Sequence, residues 1–189
     1  MKPVDYSEIS NIADYEIERE TWRPAVLAIK ERRRVRVGGH LTFLFENRET
    51  VRYQVQEMMR IERLVKEHDI RHELETYNEL IPGPNELRAS LLIEFETPAE
   101  RAVWLRKLLG LENHVWIRVG KLNPVRAIFD TRQISTDRIS SVQYIRFSLT
   151  PAHVAAFRSG ATLFVDHPSY SASTELTPDQ LDALAEDFA

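Results

Sequence analysis

The sequence predicts a single α+β domain, and three observations carry that prediction. A chain of 189 residues with 43% hydrophobic side chains can bury one full core. A long helical signal with polar groups on its apolar face occupies the first half, and two segments of the second half share one strand–helix–strand grammar. In the first unit LLIEFETPAERAVWLRKLLG leads to HVWIRV, and in the second YIRFSLTPAHVAAFRSG leads to ATLFV. Each places threonine (Thr97, Thr150) as N-cap, proline (Pro98, Pro151) as first helical residue and glycine (Gly110, Gly160) just past the helix end. Thr97 with Glu100 has the form of a capping box, and Thr177-Pro178 with Gln180 opens a last helix in the same way. Two β-α-β units of matching pattern predict pseudo-symmetric halves of one mixed sheet, with a central helix pair packed beside it.

Taken in order, residues 1–13 show little periodicity and are expected to form an N-terminal arm. From Asp14 the pattern turns helical, with Tyr15, Trp22, Val26 and Ile29 at helical spacings, and Pro24 is expected to kink that helix or begin a new one. The basic run from Lys30 to Arg36 closes it. Cations at a helix C-terminus offset the macrodipole, so the run reads as a solvated helix end entering a strand. The alternative makes Arg32, Arg33, Arg34 and Arg36 an anion or partner surface, because guanidinium groups grip oxyanions bidentately. Gly38-Gly39 reads as a turn. Leu41, Phe43 and Phe45 alternate with Thr42, Leu44 and Glu46, the pattern of a strand with one aromatic-rich face.

The central helical signal follows, capped by Asn47 or Glu49. Val51, Val55, Met58, Ile61 and Val65 fall on one apolar stripe; Glu62 lies inside it, Gln54 near its edge and Glu57 on its flank. Asp69 is a second N-cap candidate, opening a shorter helix in which Ile70, Leu74 and Tyr77 share a face and Glu73 stands one turn before Tyr77. Packing these two helices together would bring Glu62 near Glu73, with Gln54, Arg60, Tyr77 or Asn78 as hydrogen-bonding partners. A carboxylate pressed into an apolar face must find a partner or shift its pKa upward. The cluster is therefore either a carboxylate-rich site or a buried salt-bridge network with Arg60, Arg52 or Arg34. Pro82-Gly83-Pro84 stops the second helix. Val125 to Phe129 reads as a further strand, and Gln133 to Ser140 as a polar loop. Residues 168–189 form an acidic C-terminal segment with a short helix, whose Asp and Glu residues face either the arginine run or solvent.

Several chemistries find no support. Without cysteine the chain supplies no disulfide, thiolate nucleophile or iron–sulfur ligand, and no apolar run approaches the roughly 18 residues of a membrane span. The start MKPVDYSEIS has no apolar core of a signal peptide, which points to the cytoplasm, and a net charge of −4 argues against general nucleic-acid binding. The HExxH, GxSxG, GxGxxG and EF-hand patterns are missing, and Asp69-x-x-His72 has no second copy with which to build a di-metal bundle. Asp166-His167-Pro168-x-Tyr170 follows a strand end, where ligand sites often form, and turn chemistry explains it equally. The residues name no cofactor and no metal.

The strings RRRVRVG, LFENRETVRYQVQEMMRIER, ELETYNELIPGPNELRASLLIE and DHPSY resemble an uncharacterised bacterial family, domain of unknown function 3501. The likeness runs over nearly the whole chain and is carried by Arg34, Phe45, Glu46, Asn47, Gln54, Glu57, Met58, Arg60, Glu62, Glu73, Tyr77, Asn78, Pro82, Glu94, His167 and Tyr170. Ser90 stands where threonine is expected and keeps the hydroxyl. Proteins of this kind look like companions of rubrerythrin-like proteins and iron–sulfur oxidoreductases, which implies an oxidative-stress or redox setting and no defined activity. Two function classes follow. One is an accessory or binding protein that docks on such a redox partner through the arginine run or a sheet edge, alone or as a homodimer. The other is a metal-binding protein or enzyme whose site is Gln54, Glu57, Arg60, Glu62, Glu73, Tyr77 and Asn78, with Glu94, His167 and Tyr170 as additions.

Overall fold

The computed structural model of the chain describes residues 1–188, with Gln133 described by its backbone alone; Ala189, the last residue of the acidic segment, lies outside the described residues. Along the chain come α1 (Ile12–Arg32), β1 (Arg34–Val37), β2 (Leu41–Phe45), α2 (Arg48–Glu62), α3 (Glu67–Asn78) and β3 (Glu86–Ile93). Then follow α4 (Pro98–Lys107), β4 (Val115–Val119), β5 (Val125–Arg126), β6 (Ile128–Phe129) and β7 (Val142–Ser148). The last elements are α5 (Pro151–Ala156), β8 (Ala161–His167), β9 (Tyr170–Glu175) and α6 (Pro178–Ala185). This is an α+β fold. The strands form two antiparallel sheets, ordered β1-β2-β3-β7-β6 and β5-β4-β8-β9, where one mixed sheet was expected.

The division follows from the two strand–helix–strand units. Each begins in the first sheet (β3, β7), crosses through its helix (α4, α5) and ends in the second (β4, β8). Equivalent strands then pair antiparallel, with Ala89 opposite Ile145 in one sheet and Ile117 opposite Leu163 in the other, as a local two-fold relation would place them. The inner faces meet in one core that includes Phe43, Phe45, Leu91, Phe147, Ile117 and Leu163. Leu105 and Leu108 from the α4 end, Phe157 after α5, and Leu181 and Leu184 of α6 add to the same core. The stretch 125–129 is one expected strand split in two. Buried Ala127 is the joint: its amide donates to the Val115 carbonyl at 2.8 Å, and on either side β5 pairs in the second sheet and β6 in the first.

The caps form where the spacing places them, but the box expected at Thr97 is half made, since Glu100 does not accept from the Thr97 amide. The Glu100 amide donates to Thr97 Oγ1 at 3.1 Å, and Thr150 and Thr177 make reciprocal boxes with His153 and Gln180. Asn47 caps α2 in the same reciprocal way with Thr50. Two expectations fail for local reasons. The helix α1 runs unbroken through Pro24, because Pro24 and Glu20, whose carbonyl loses its usual partner, both face solvent. The N-cap of α3 is Lys66 rather than Asp69, which falls in the first turn and there favours the positive end of the helix dipole.

The helices α2 and α3 cover the outer face of the first sheet through a second apolar cluster of Val51, Val55, Met59, Ile70 and Leu74, against which Tyr144 packs. The arm is fixed to this pair. Buried Val4 belongs to the cluster, its amide donates to Asn78 Oδ1 at 2.8 Å, and Asn78 Nδ2 donates back to the Val4 carbonyl at 3.0 Å.

Candidate functional site

The acids of the central helix pair divide by the turn that ends α2. The helix stops at Glu62, and Arg63 takes a left-handed conformation (φ 55°), so the stripe does not continue through 65. Ile61 and Val65 are 62% and 76% exposed, and Glu62 between them is exposed as well. The buried face of α2 is Thr50, Val51, Tyr53, Val55, Gln56 and Met59, and Met58 sits at its margin. Glu62 is thus corrected from an inward acid to a surface one.

Glu57 instead points inward onto α1 and meets cations. Arg19 Nε donates to its carboxylate at 2.6 Å, Tyr15 Oη at 2.7 Å and Arg60 Nη2 at 3.2 Å. Burial works to raise the Glu57 carboxyl, but the bonds from Arg19, Tyr15 and Arg60 outweigh it and hold it at about 2, against an ordinary 4.5. The salt-bridge reading holds for Glu57, with Arg19 as principal partner. Arg52 is occupied elsewhere, over the Trp22 ring at 4.6 Å, and Arg34 pairs with Glu31 at 3.1 Å.

On the other side of α2, toward the outer sheet face, a second polar set converges. Glu46, buried at 7% exposure, receives Thr50 Oγ1 at 2.6 Å and Ser90 Oγ at 2.7 Å. Ser90 lies opposite Tyr144 across the β3–β7 ladder, so both project to the face that α3 covers. Burial pushes the Tyr77 phenol up, a hydrogen bond with Gln54 opposes it, and the charges of Glu73, Glu62 and Glu46 add to it. Tyr144 is raised by burial, then by Tyr77 and Glu46. Glu73 is raised by burial and by Glu62. Both phenols therefore stay neutral hydrogen-bond donors at neutral pH.

These tyrosines open into a groove of about 400 Å³ between the end of α3 and β6, which Leu80, Ile128 and Phe129 line on the apolar side and Arg88, Arg132 and Arg146 on the polar side. The guanidinium groups are held in place. Arg146 donates to Glu86 Oε1 at 2.9 Å, Arg88 donates to Glu86 and to the Glu79 carbonyl, and Arg132 donates to Glu79 Oε2 at 2.6 Å and to Asp130 at 2.9 Å. Burial works to raise Glu86, but Arg146, the Gly83 amide and Arg88 keep it below its ordinary value; Arg132 does the same for Asp130. Ring faces with fixed N–H and O–H donors are the chemistry of recognition.

The remaining expected site residues lie apart from this groove. Glu94 accepts from Thr42 Oγ1 at 2.5 Å, and Tyr170 Oη donates to the Val37 carbonyl at 2.7 Å and accepts from the His40 amide. His40 stacks on Phe95 at 4.2 Å. His167 is buried and donates to the Leu109 carbonyl at 3.0 Å while accepting from the Ser169 amide. Among the described residues no group of three or more His, Asp or Glu side chains is placed to hold a metal ion.

The arginine run separates by strand alternation. Arg32 is exposed and Arg36 faces solvent from β1, between inward Val35 and Val37. Arg33 is 1% exposed and cannot serve an outside partner. It donates to the carbonyls of Phe45 (2.9 Å), Ala183 (2.7 Å) and Glu46 (3.1 Å) and to the Asp187 carboxylate, so one acid of the tail does meet the run, in the interior.

Tyr144, Arg146, Arg88 and Arg132 did not stand out in the sequence. The signal was present as polar residues at alternating positions in YIRFS and ELRAS, but the pairing of β3 with β7 joins residues far apart in the chain, from Glu86 with Ser148 to Leu92 with Val142, and leaves no local mark.

The sequence profile of the family described as protein of unknown function (DUF3501) matches residues 3–188. No curated protein matches the chain. The crystal structure of a novel protein of unknown function from Burkholderia pseudomallei K96243 is similar, at 33% identity and a TM-score of 0.92 over 100% of each chain. No helix among the described residues is long and apolar enough to cross a membrane.

Proposed function

Since the chain belongs to the DUF3501 family of proteins of unknown function, we propose from the groove itself that it is a binding protein, receiving a segment of a partner between α3 and β6. The observation that carries this reading is the juxtaposition of neutral phenols, apolar walls and three pre-held guanidinium groups in one groove. Because Glu79, Glu86 and Asp130 already compensate the arginines, the groove favours a polar, aromatic-bearing segment over a highly charged one. At its rim β6 pairs, among the described residues, only with β7, and Ile128 is 47% exposed, which leaves a short edge for strand addition. The redox or peroxide-stress setting, beside a rubrerythrin-like or iron–sulfur partner, rests on the family resemblance.

Titration calorimetry with such a partner tests the proposal. Ile128→Asp and Arg132→Glu are expected to weaken binding at least about 10-fold, a loss of about 1.4 kcal/mol, while Arg36→Glu leaves it unchanged. Undiminished binding by both groove variants, with loss in Arg36→Glu, would move the docking surface to β1. A second reading takes the half-buried Glu73 beside Tyr77 as a proton donor to a bound ligand. In that reading Glu73→Gln abolishes turnover while leaving ligand affinity intact; unchanged turnover rejects it.

A further inference from the structure

A second cleft, of about 420 Å³, lies between α4 and the segment that leads into β7, and it differs from the groove in its charge balance. Arg101, Arg132, Arg138, Ser140 and Ser141 line it above an apolar base that includes Leu105 and Ile139. Backbone bonds hold the segment against the helix. Ile134 bridges Ile139, the Ser135 amide donates to the Arg138 carbonyl at 3.0 Å, and the Ile139 amide donates to the Leu105 carbonyl at 3.1 Å. Arg138 is therefore carried by a hairpin bonded to the same helix that presents Arg101.

Their charges have no carboxylate partner inside the cleft, although Arg138 acts from a distance on the exposed Asp137, whose carboxyl is lowered first by its bond from Ser135 and in part by that charge. Arg132 is held by Asp130 and Glu79, but among the described residues Arg101 and Arg138 form no ion pair, and no carboxylate lines the cleft. Asp137, the acid nearest in sequence to Arg138, points its carboxylate at the Ser135 hydroxyl at 2.9 Å. Arg101 is moreover half-buried and makes no ion pair among the described residues. Two guanidinium forks beside serine hydroxyls fit a tetrahedral oxyanion, which accepts several charge-assisted bonds at once. We propose that this cleft binds the phosphoryl group of a small phosphorylated ligand. The site shares only Arg132 with the groove and does not depend on it.

Calorimetry on the full chain at constant ionic strength, with inorganic phosphate, then pyrophosphate, then acetate, tests the proposal. Saturable one-to-one binding of phosphate or pyrophosphate is expected, with acetate inert, and Arg101→Gln and Arg138→Gln each weakening it at least about 10-fold. Tighter binding of pyrophosphate than of phosphate would assign a diphosphate-bearing ligand, and the reverse order a monoester. Arg36→Gln, on β1, and Ile128→Asp, in the groove, should bind as wild type, and thermal melting of each variant reports whether it is folded. Absence of saturable binding by the wild type, or equal weakening by Arg36→Gln, would overturn the site.

Discussion

Replacing the buried Arg33 with methionine is expected to cost the fold about 3–5 kcal/mol. The guanidinium ties the strand β2 to the C-terminal segment by bonding three carbonyls and Asp187 in a space closed to water. Methionine fills much of the volume but leaves the Asp187 carboxylate buried without its cation, and one of that carboxylate's oxygens already lacks a partner. Urea denaturation measures the loss. The double variant Arg33→Met, Asp187→Leu should recover part of it, because both charges leave together. Burial raises Asp187 to about 6 from 3.8, with Arg33 opposing. A carboxyl raised in the folded state stabilises the fold most below its unfolded pKa. Its contribution therefore falls as pH rises from about 4 to about 6, and Asp187→Asn should lack that part of the slope.

Glu57→Gln is expected to cost about 3 kcal/mol at pH 7, from a carboxyl held at about 2 against 4.5. The sign is opposite to that of Asp187. A carboxyl lowered in the folded state contributes fully above 4.5 and loses that contribution as pH falls toward 2. Wild-type stability should decline through this window, and the decline should flatten in Glu57→Gln. Glu62→Gln, at the exposed end of α2, should change stability by less than about 0.5 kcal/mol.

Local chemistry wrote much of the fold plainly. The Thr-Pro caps, the Asn47 cap and the α+β class were legible because capping depends on residues within one turn. The two-sheet arrangement was not, since a crossover helix looks the same whether its second strand returns to the first sheet or joins another. At the candidate site, helical spacing anticipated Glu73 one turn before Tyr77 and the pairing of Glu57 with Arg60, but not the bonds that Arg19 and Tyr15 give Glu57 from α1 or the bond of Tyr77 with Gln54. Glu62 was misplaced because a period drawn through 65 ignores the left-handed turn at Arg63, which neither glycine nor asparagine announces. Arg33 was misplaced because a run of cations reads as surface until a strand register turns one of them inward. The groove itself depends on pairing between distant strands and could be seen only in three dimensions.

The inward acid of α2 locks the fold with cations and so leaves the recognition we propose to the tyrosine-lined groove. A carbon-13 NMR titration of the side-chain carboxyls tests it most directly. Glu57 should titrate near 2 and Glu73 above 4.5. A Glu57 that titrates at or above its ordinary value would show an acid free of Arg19 and Arg60, and would contradict the account.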